Sequence, residues 1–262
     1  MNSTKEPIVL NAFFSTNSTP LIALHGWGMN ASVWQSLSTY LPENLEFRCL
    51  DLPGHGQTEL LDNNEFETAV EWLAAQFEGR CHLLGWSMGG LLAQAFALKY
   101  PERIASLSLV ASTPCFVQQA DWQCGMEPAV LAQFAQALKE NQNTTIRRFI
   151  GLQFMGESAT AKLQKALLQS VLARPASPMA LERGIQWLQE ADYRQSLSRL
   201  PPSHWMFGTL DRLIPPEAGA VVAEQLVAGR VDYFEGCGHA PFMTQPQQFA
   251  ERLMEFIQAH TS

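Results

Sequence analysis

A serine between two glycines, in Gly85-Trp86-Ser87-Met88-Gly89, is where residue type and spacing in this 262-residue sequence first point to chemistry. It follows a short apolar run, Cys81 to Leu84, and opens a helical pattern, Met88 to Tyr100, closed by Pro101. A serine hydroxyl becomes a useful nucleophile only when held clear of the chain beside a base. A sharp strand-to-helix turn does this by forcing the serine into strained backbone geometry, with no room for side chains at Gly85 and Gly89. The motif alone also fits a plain glycine-rich turn, so its partners decide. Asp211 stands 124 residues downstream in Phe207-Gly208-Thr209-Leu210-Asp211, and His239 a further 28 residues on in Gly236-Cys237-Gly238-His239-Ala240-Pro241-Phe242. The order nucleophile, acid, base suits serine acyl transfer. His25, His55, His82, His204 and His260 lack the glycine-flanked loop, preceding strand and order that His239 combines. Attack on a carbonyl throws negative charge onto its oxygen, and the backbone N–H groups of Met88 and of Trp27, in Leu24-His25-Gly26-Trp27-Gly28, are the predicted donors to it.

Such residues need a scaffold that delivers each of them at a strand end. Short apolar runs recur at Leu21 to Leu24, Phe47 to Leu50, Cys81 to Leu84, Ser106 to Val110, Trp205 to Phe207 and Val231 to Phe234. Helical patterns lie between and after them at Ala31 to Leu41, Glu65 to Phe77, Met88 to Tyr100, Pro216 to Val227 and Gln247 to Ala259. Strands alternating with helices predict an α/β fold with a mostly parallel central sheet and helices on both faces. From about Thr113 to Leu200 the strand signal vanishes, and apolar residues recur at helical spacing in Pro128 to Leu138, Thr144 to Phe154, Ala159 to Leu172 and Pro178 to Leu188. We therefore expect one core domain, 1–112 with 201–262, carrying a helical lid inserted at 113–200, with Pro201-Pro202 marking the return to the sheet.

Composition narrows the partners. The 17 Lys and Arg against 25 Asp and Glu give a formal charge of −8, which argues against a general nucleic-acid or anionic-membrane binder. The charge is uneven: six basic residues and two acids between Lys139 and Arg174 carry +4, leaving −12 on the remainder, so a basic cap sits on an acidic body. That leaves room for a small acidic protein as partner. The start, Met1 to Pro7, shows no secretory pattern, so a cytoplasmic protein is expected. Five scattered cysteines, odd in number, suggest free thiols, and Cys237-Gly238-His239 has no second ligand pair at zinc spacing; neither metal nor cofactor is expected.

With these motifs in hand, the chain resembles the α/β-hydrolases, and within them the pimeloyl-[acyl-carrier protein] methyl ester esterases of biotin synthesis. The resemblance runs nearly end to end. It rests on His25-Gly26-Trp27-Gly28 with Trp34, Asp51-Leu52-Pro53-Gly54-His55-Gly56, Gly85 to Gly90, Pro101-Glu102-Arg103-Ile104, Val110 to Phe116, Phe149 to Gln153 ahead of Met155-Gly156, and Gly238 to Phe242. It implies an α/β-hydrolase fold and a cytoplasmic, monomeric serine carboxylesterase acting on an acyl carrier protein that bears a pimeloyl methyl ester. It further implies that Trp27, Ser87, Met88, Phe149, Ile150, Gly151, Leu152, Gln153 and His239 line the acyl site. Arg147, Arg148, Lys162 and Lys165 would grip the carrier. Thr144 and Ala161 fall where such enzymes can carry arginine, and Gln245-Pro246 replaces a His-Pro pair. The triad does not separate this from another serine hydrolase, such as a short-chain carboxylesterase or a carbon–carbon bond hydrolase, and a ligand receptor on the same fold is the rival of another class.

Overall fold

The computed structural model describes residues 19–63, 65–158 and 160–260; the opening segment Met1 to Pro7 and Ala159, at the start of one expected helix, lie outside them. Six strands, β1 (Leu21–Leu24), β2 (Phe47–Leu50), β3 (Cys81–Trp86), β4 (Ile104–Val110), β5 (Ser203–Gly208) and β6 (Gly229–Phe234), form one sheet in the order β2-β1-β3-β4-β5-β6. Every pairing is parallel. Parallel sheets are covered on both faces, and accordingly β1, β3 and β4 are buried at every residue, His82, Ser106 and Ser108 included, whereas the edge strands β2 and β6 are partly open.

The helices follow the pattern in the sequence, with two instructive departures. Where a helix was expected over Ala31 to Leu41, a 3₁₀ turn (Ala31–Trp34) runs into the four-residue α1 (Gln35–Ser38). Ser38 and Thr39 turn their hydroxyls back onto the carbonyls of Gln35 and Ser36, the competition that shortens Ser/Thr-rich helices. The helices α2 (Phe66–Ala74) and α3 (Met88–Lys99) come next, and α3 is buried all round from Met88 to Ala97, as a helix without a polar stripe must be. Between β4 and β5 the chain runs through α4 (Pro128–Glu140), α5 (Gln142–Gln153), α6 (Ala161–Ala173) and α7 (Pro178–Glu190). The pattern at Pro216 to Val227 yields only α8 (Ala218–Ala223), and the chain closes with α9 (Pro241–Thr244) and α10 (Pro246–Gln258). Among the described residues no helix is long and apolar enough to cross a membrane. The five cysteines are free.

Candidate active site

Ser87 sits between β3 and α3 with φ 54° and ψ −119°, a region that residues bearing a side chain enter only when their surroundings impose it. The imposing contacts are visible. A Cβ at Gly85 would stand 2.5 Å from the Gly90 Cα, and one at Gly89 would stand 2.5 Å from the Leu24 carbonyl oxygen, so strand, turn and helix close on one another without space for a methyl group. The Ser87 amide donates to the Val110 carbonyl at 3.0 Å, and the Ser87 carbonyl accepts from the Gly90 amide and from the Ser112 hydroxyl, each at 2.9 Å. Ser87 is 7% exposed.

Asp211 follows β5 and His239 follows β6, and the two meet: Asp211 Oδ2 accepts from His239 Nδ1 at 2.8 Å with both side chains out of solvent. The other carboxylate oxygen accepts the amides of Leu213 and Ile214 at 2.8 and 3.0 Å, so the acid cannot rotate away. Because Nδ1 donates to the carboxylate, the neutral imidazole presents Nε2 as an acceptor. That nitrogen is buried and makes no hydrogen bond, so the link from Ser87 to His239 is not formed here; in ligand-free sites such links are often long and tighten with substrate. The residue before the serine helps to place the histidine, since the Trp86 indole N–H donates to the His239 carbonyl at 2.8 Å.

The loop after β1 is fixed just as firmly. The Leu52 amide donates to His25 Nε2 at 2.9 Å, which obliges His25 Nδ1 to carry the proton that goes to the Gly26 carbonyl at 2.8 Å. Burial, with the neighbouring His55 adding, holds His25 well below the ordinary histidine range, so it is a neutral brace rather than a base. Trp27 is buried, donates its indole N–H to the Leu181 carbonyl of α7 at 2.8 Å, and meets Phe134 of α4 and Phe149 of α5 edge-on, each with centroids 5.0 Å away. Met88 opens α3, where the first N–H groups of a helix lack intrahelical acceptors. A strained serine, a histidine oriented by a buried acid and two backbone amides at the same strand ends can together perform acyl transfer through a covalent serine ester.

A model of the alpha/beta hydrolase family matches residues 21–252. The chain belongs to the alpha/beta hydrolase family. It is 39% identical over 243 residues to a pimeloyl-[acyl-carrier protein] methyl ester esterase of Aeromonas hydrophila, covering 90% of this chain and 94% of that one. It is 37% identical over 235 residues to the enzyme of the same name from Nitrosomonas europaea, covering 89% and 93%. Among solved structures, an esterase from Exiguobacterium antarcticum superposes with a TM-score of 0.84 at 22% identity, covering 92% of each chain, which speaks to the fold alone.

Within this alpha/beta hydrolase the remaining expected residues divide. Of the run Phe149 to Gln153, Phe149 touches Trp27 and Gln153 accepts the His239 amide at 2.8 Å; these two stand four residues apart on one face of α5. Ile150 is buried, and Gly151 and Leu152 are half-buried. Arg147 and Arg148 on α5 and Lys162 and Lys165 on α6 are exposed, and none makes an ion pair among the described residues, whereas Lys99, Arg194 and Arg230 all do. A second histidine–carboxylate pair, His204 with Asp232 at 2.8 Å, lies near the start of β5, away from the strand ends that carry Ser87 and Asp211. Two adjoining cavities of about 500 and 300 Å³ run along α6, sharing Leu163, Ala166 and Met243; Glu157 and Lys162 line the larger. Sequence reasoning passed over Ser112, Gly184 and Glu157. Their signals were faint: a serine inside the Val110 to Phe116 run, a glycine inside a helical pattern, and one of two acids in the basic segment.

Proposed function

We propose that this alpha/beta hydrolase removes the methyl ester from pimeloyl-[acyl-carrier protein], giving pimeloyl-[acyl-carrier protein] and methanol in biotin biosynthesis. The observation that carries the reading is the 2.8 Å pairing of His239 with buried Asp211, joined through Trp86 to the strained Ser87, in a chain 39% identical to an esterase named for that substrate. Ser87 Oγ attacks the ester carbonyl as His239 Nε2 takes its proton, and Asp211 holds the ring and stabilises its charged form. The amides of Met88 and Trp27 receive the oxyanion, a contribution of about 3 kcal/mol each to the barrier. The C–O bond to the methoxy group breaks, and methanol leaves with the proton from His239. Water, deprotonated by His239, then attacks the acyl-serine and restores Ser87.

In this reading residues 113–200 are a lid on the core 1–112 and 201–262. The apolar surface of Trp27, Phe134 and Phe149 takes the methylene chain at about 0.8 kcal/mol per buried CH₂. Arg147, Arg148, Lys162 and Lys165, which make no ion pair among the described residues, offer their charge to an acidic carrier. Neither metal nor cofactor is required, and the enzyme works as a cytoplasmic monomer. The test is Ser87→Ala against wild type on a pimeloyl methyl ester, with fluorophosphonate labelling in parallel. Loss of turnover by more than about 10³-fold, loss of labelling, and failure to rescue a biotin auxotroph lacking its own esterase are expected. Retained turnover in the variant would mean that another group is the nucleophile.

A further inference from the structure

The loop that carries His239 is held from two sides. The core supplies Asp211 to the ring and the Trp86 indole to the His239 carbonyl. The amides of Gly238 and His239 go the other way, into the segment between β4 and β5: the His239 N–H donates to the Gln153 carbonyl at 2.8 Å, and the Gly238 N–H donates to Glu157 Oε1 at 2.8 Å. The first of these bonds is between main-chain groups and indifferent to residue type. The second exists only because a side chain of the right length ends in an oxygen at that spot.

Glu157 is an odd residue to find there. It is one of two acids in a stretch of six cations, it is half-buried, and burial together with the nearby charge of Asp211 pushes its carboxyl up from the ordinary range. An acid that served only solubility would turn outward to water. This one faces the Gly238 amide, just after the turn that ends α5.

We propose that Glu157 is a positioning residue for the base: its carboxylate clips the helical segment to the His239 loop and sets where the imidazole stands relative to Ser87. The clip makes α5 continuous with the base. The helix carries Arg147 and Arg148 on its exposed side, ends at Gln153, and reaches the histidine loop through Gln153 and Glu157, so a partner that shifts α5 shifts His239 with it. The inference rests on His239 being the base of the proposed esterase.

Three substitutions separate reach from charge. Glu157→Ala removes the acceptor, Glu157→Asp keeps the charge but is one methylene short, and Glu157→Gln keeps an oxygen at the same reach without the charge. On a small p-nitrophenyl ester, the Ala and Asp variants are expected to lose about 10- to 100-fold in kcat with KM unchanged, as a misplaced catalytic group does. The Gln variant is expected to stay within about three-fold of wild type. Melting temperatures of all three are measured alongside, and the Asp and Gln variants keep the comparison intact where the alanine protein fails to fold. A Gln variant as impaired as Asp, losses confined to KM, or wild-type kcat in the Asp variant would overturn the proposal. Fluorophosphonate labelling of wild type keeps the two readings apart: a wild type that labels at Ser87 beside an unaffected Asp variant sinks the role of Glu157 alone, whereas a wild type that does not label sinks the esterase reading itself.

Discussion

Gly184 lies in the middle of α7, where glycine costs about 1 kcal/mol relative to alanine, so a reason for its presence must be sought in packing. A Cβ built there would stand 2.6 Å from Trp27 Cδ1 and 2.9 Å from Met88 Sδ, the side chains of both residues whose amides we assign to the oxyanion. The methionine sulfur can swing aside. The indole cannot, because its N–H is bonded to the Leu181 carbonyl one turn earlier on the same helix and its faces and edges meet Phe134 and Phe149. Gly184→Ala therefore pushes Trp27, and with it the loop that holds its amide. Overpacking of this kind costs about 1–3 kcal/mol, against which the helix propensity returns about 1, so the net destabilisation is about 0–2 kcal/mol. For a chain of this size that is a fall in Tm of no more than about 8 °C. Displacing one oxyanion donor costs up to about 10²- to 10³-fold in kcat, so activity should fall at least ten-fold, out of proportion to stability. The assay is kcat on a p-nitrophenyl ester at a temperature well below both melting points. Wild-type kcat in a protein with raised Tm would refute the reasoning, for it would show that α7 can retreat from Trp27 without disturbing the site.

Two other outcomes follow from charge. His55 is buried and pushed down to about 4, mainly by burial, so the folded protein keeps it neutral where the unfolded chain binds a proton near the usual histidine value of about 6.5. The stability this neutral form contributes is fully present above about pH 6.5 and is lost as pH falls toward 4, about 2 kcal/mol of it by pH 5. Chemical denaturation of His55→Gln at pH 7 and pH 5 should show a shallower loss than wild type; an identical loss would mean that other groups carry the acid sensitivity. Reversal of Arg147, Arg148, Lys162 and Lys165 to glutamate should leave turnover of a p-nitrophenyl ester near wild type and lower turnover of the carrier-borne ester at least about ten-fold, with exposed sites moving stability by about 0.5 kcal/mol or less each. Equal losses on both substrates would argue that these cations shape the pocket rather than meet a partner.

Much of the architecture was legible because the chemistry of a parallel sheet is written locally. β1 and β2 begin and end where the apolar runs do, and the four helices between β4 and β5 follow the spacing of Leu, Ala and Phe within a few residues. The shortening of the helix after β1 was not legible, since it depends on Ser38 and Thr39 choosing backbone carbonyls over solvent. In the site, the glycine spacing around Ser87 pointed to the strained turn, and the loop around His239 to the histidine that meets Asp211, because a strained turn has few sequence solutions. What stayed hidden was every contact made by the segment between β4 and β5. No periodicity relates Glu157 to Gly238 or Gly184 to Trp27, which lie 81 and 157 residues apart and are brought together only when four helices settle over the strand ends.

That distinction has a mechanical meaning. Ser87 and Asp211, the proposed nucleophile and acid, are held by the sheet and its turns: Ser87 by Val110 and Ser112, Asp211 by Leu213 and Ile214. His239, the proposed base, and the Trp27 loop are held in part by the helices above them, through Gln153, Glu157 and Leu181. A hydrolase built this way keeps two of its groups in place whatever the helices do, while the position of the other two depends on how the helices sit. In the proposed esterase, with Ser87 7% exposed and His239 1% exposed, a shift of those helices would load or release the bonds on the histidine loop. Docking on the exposed cations of α5 would then be coupled to the alignment of the base, and a small ester that enters without a carrier should be turned over from a less aligned site. Such a difference would appear in kcat rather than in KM, because alignment acts on the transition state more than on the bound ground state.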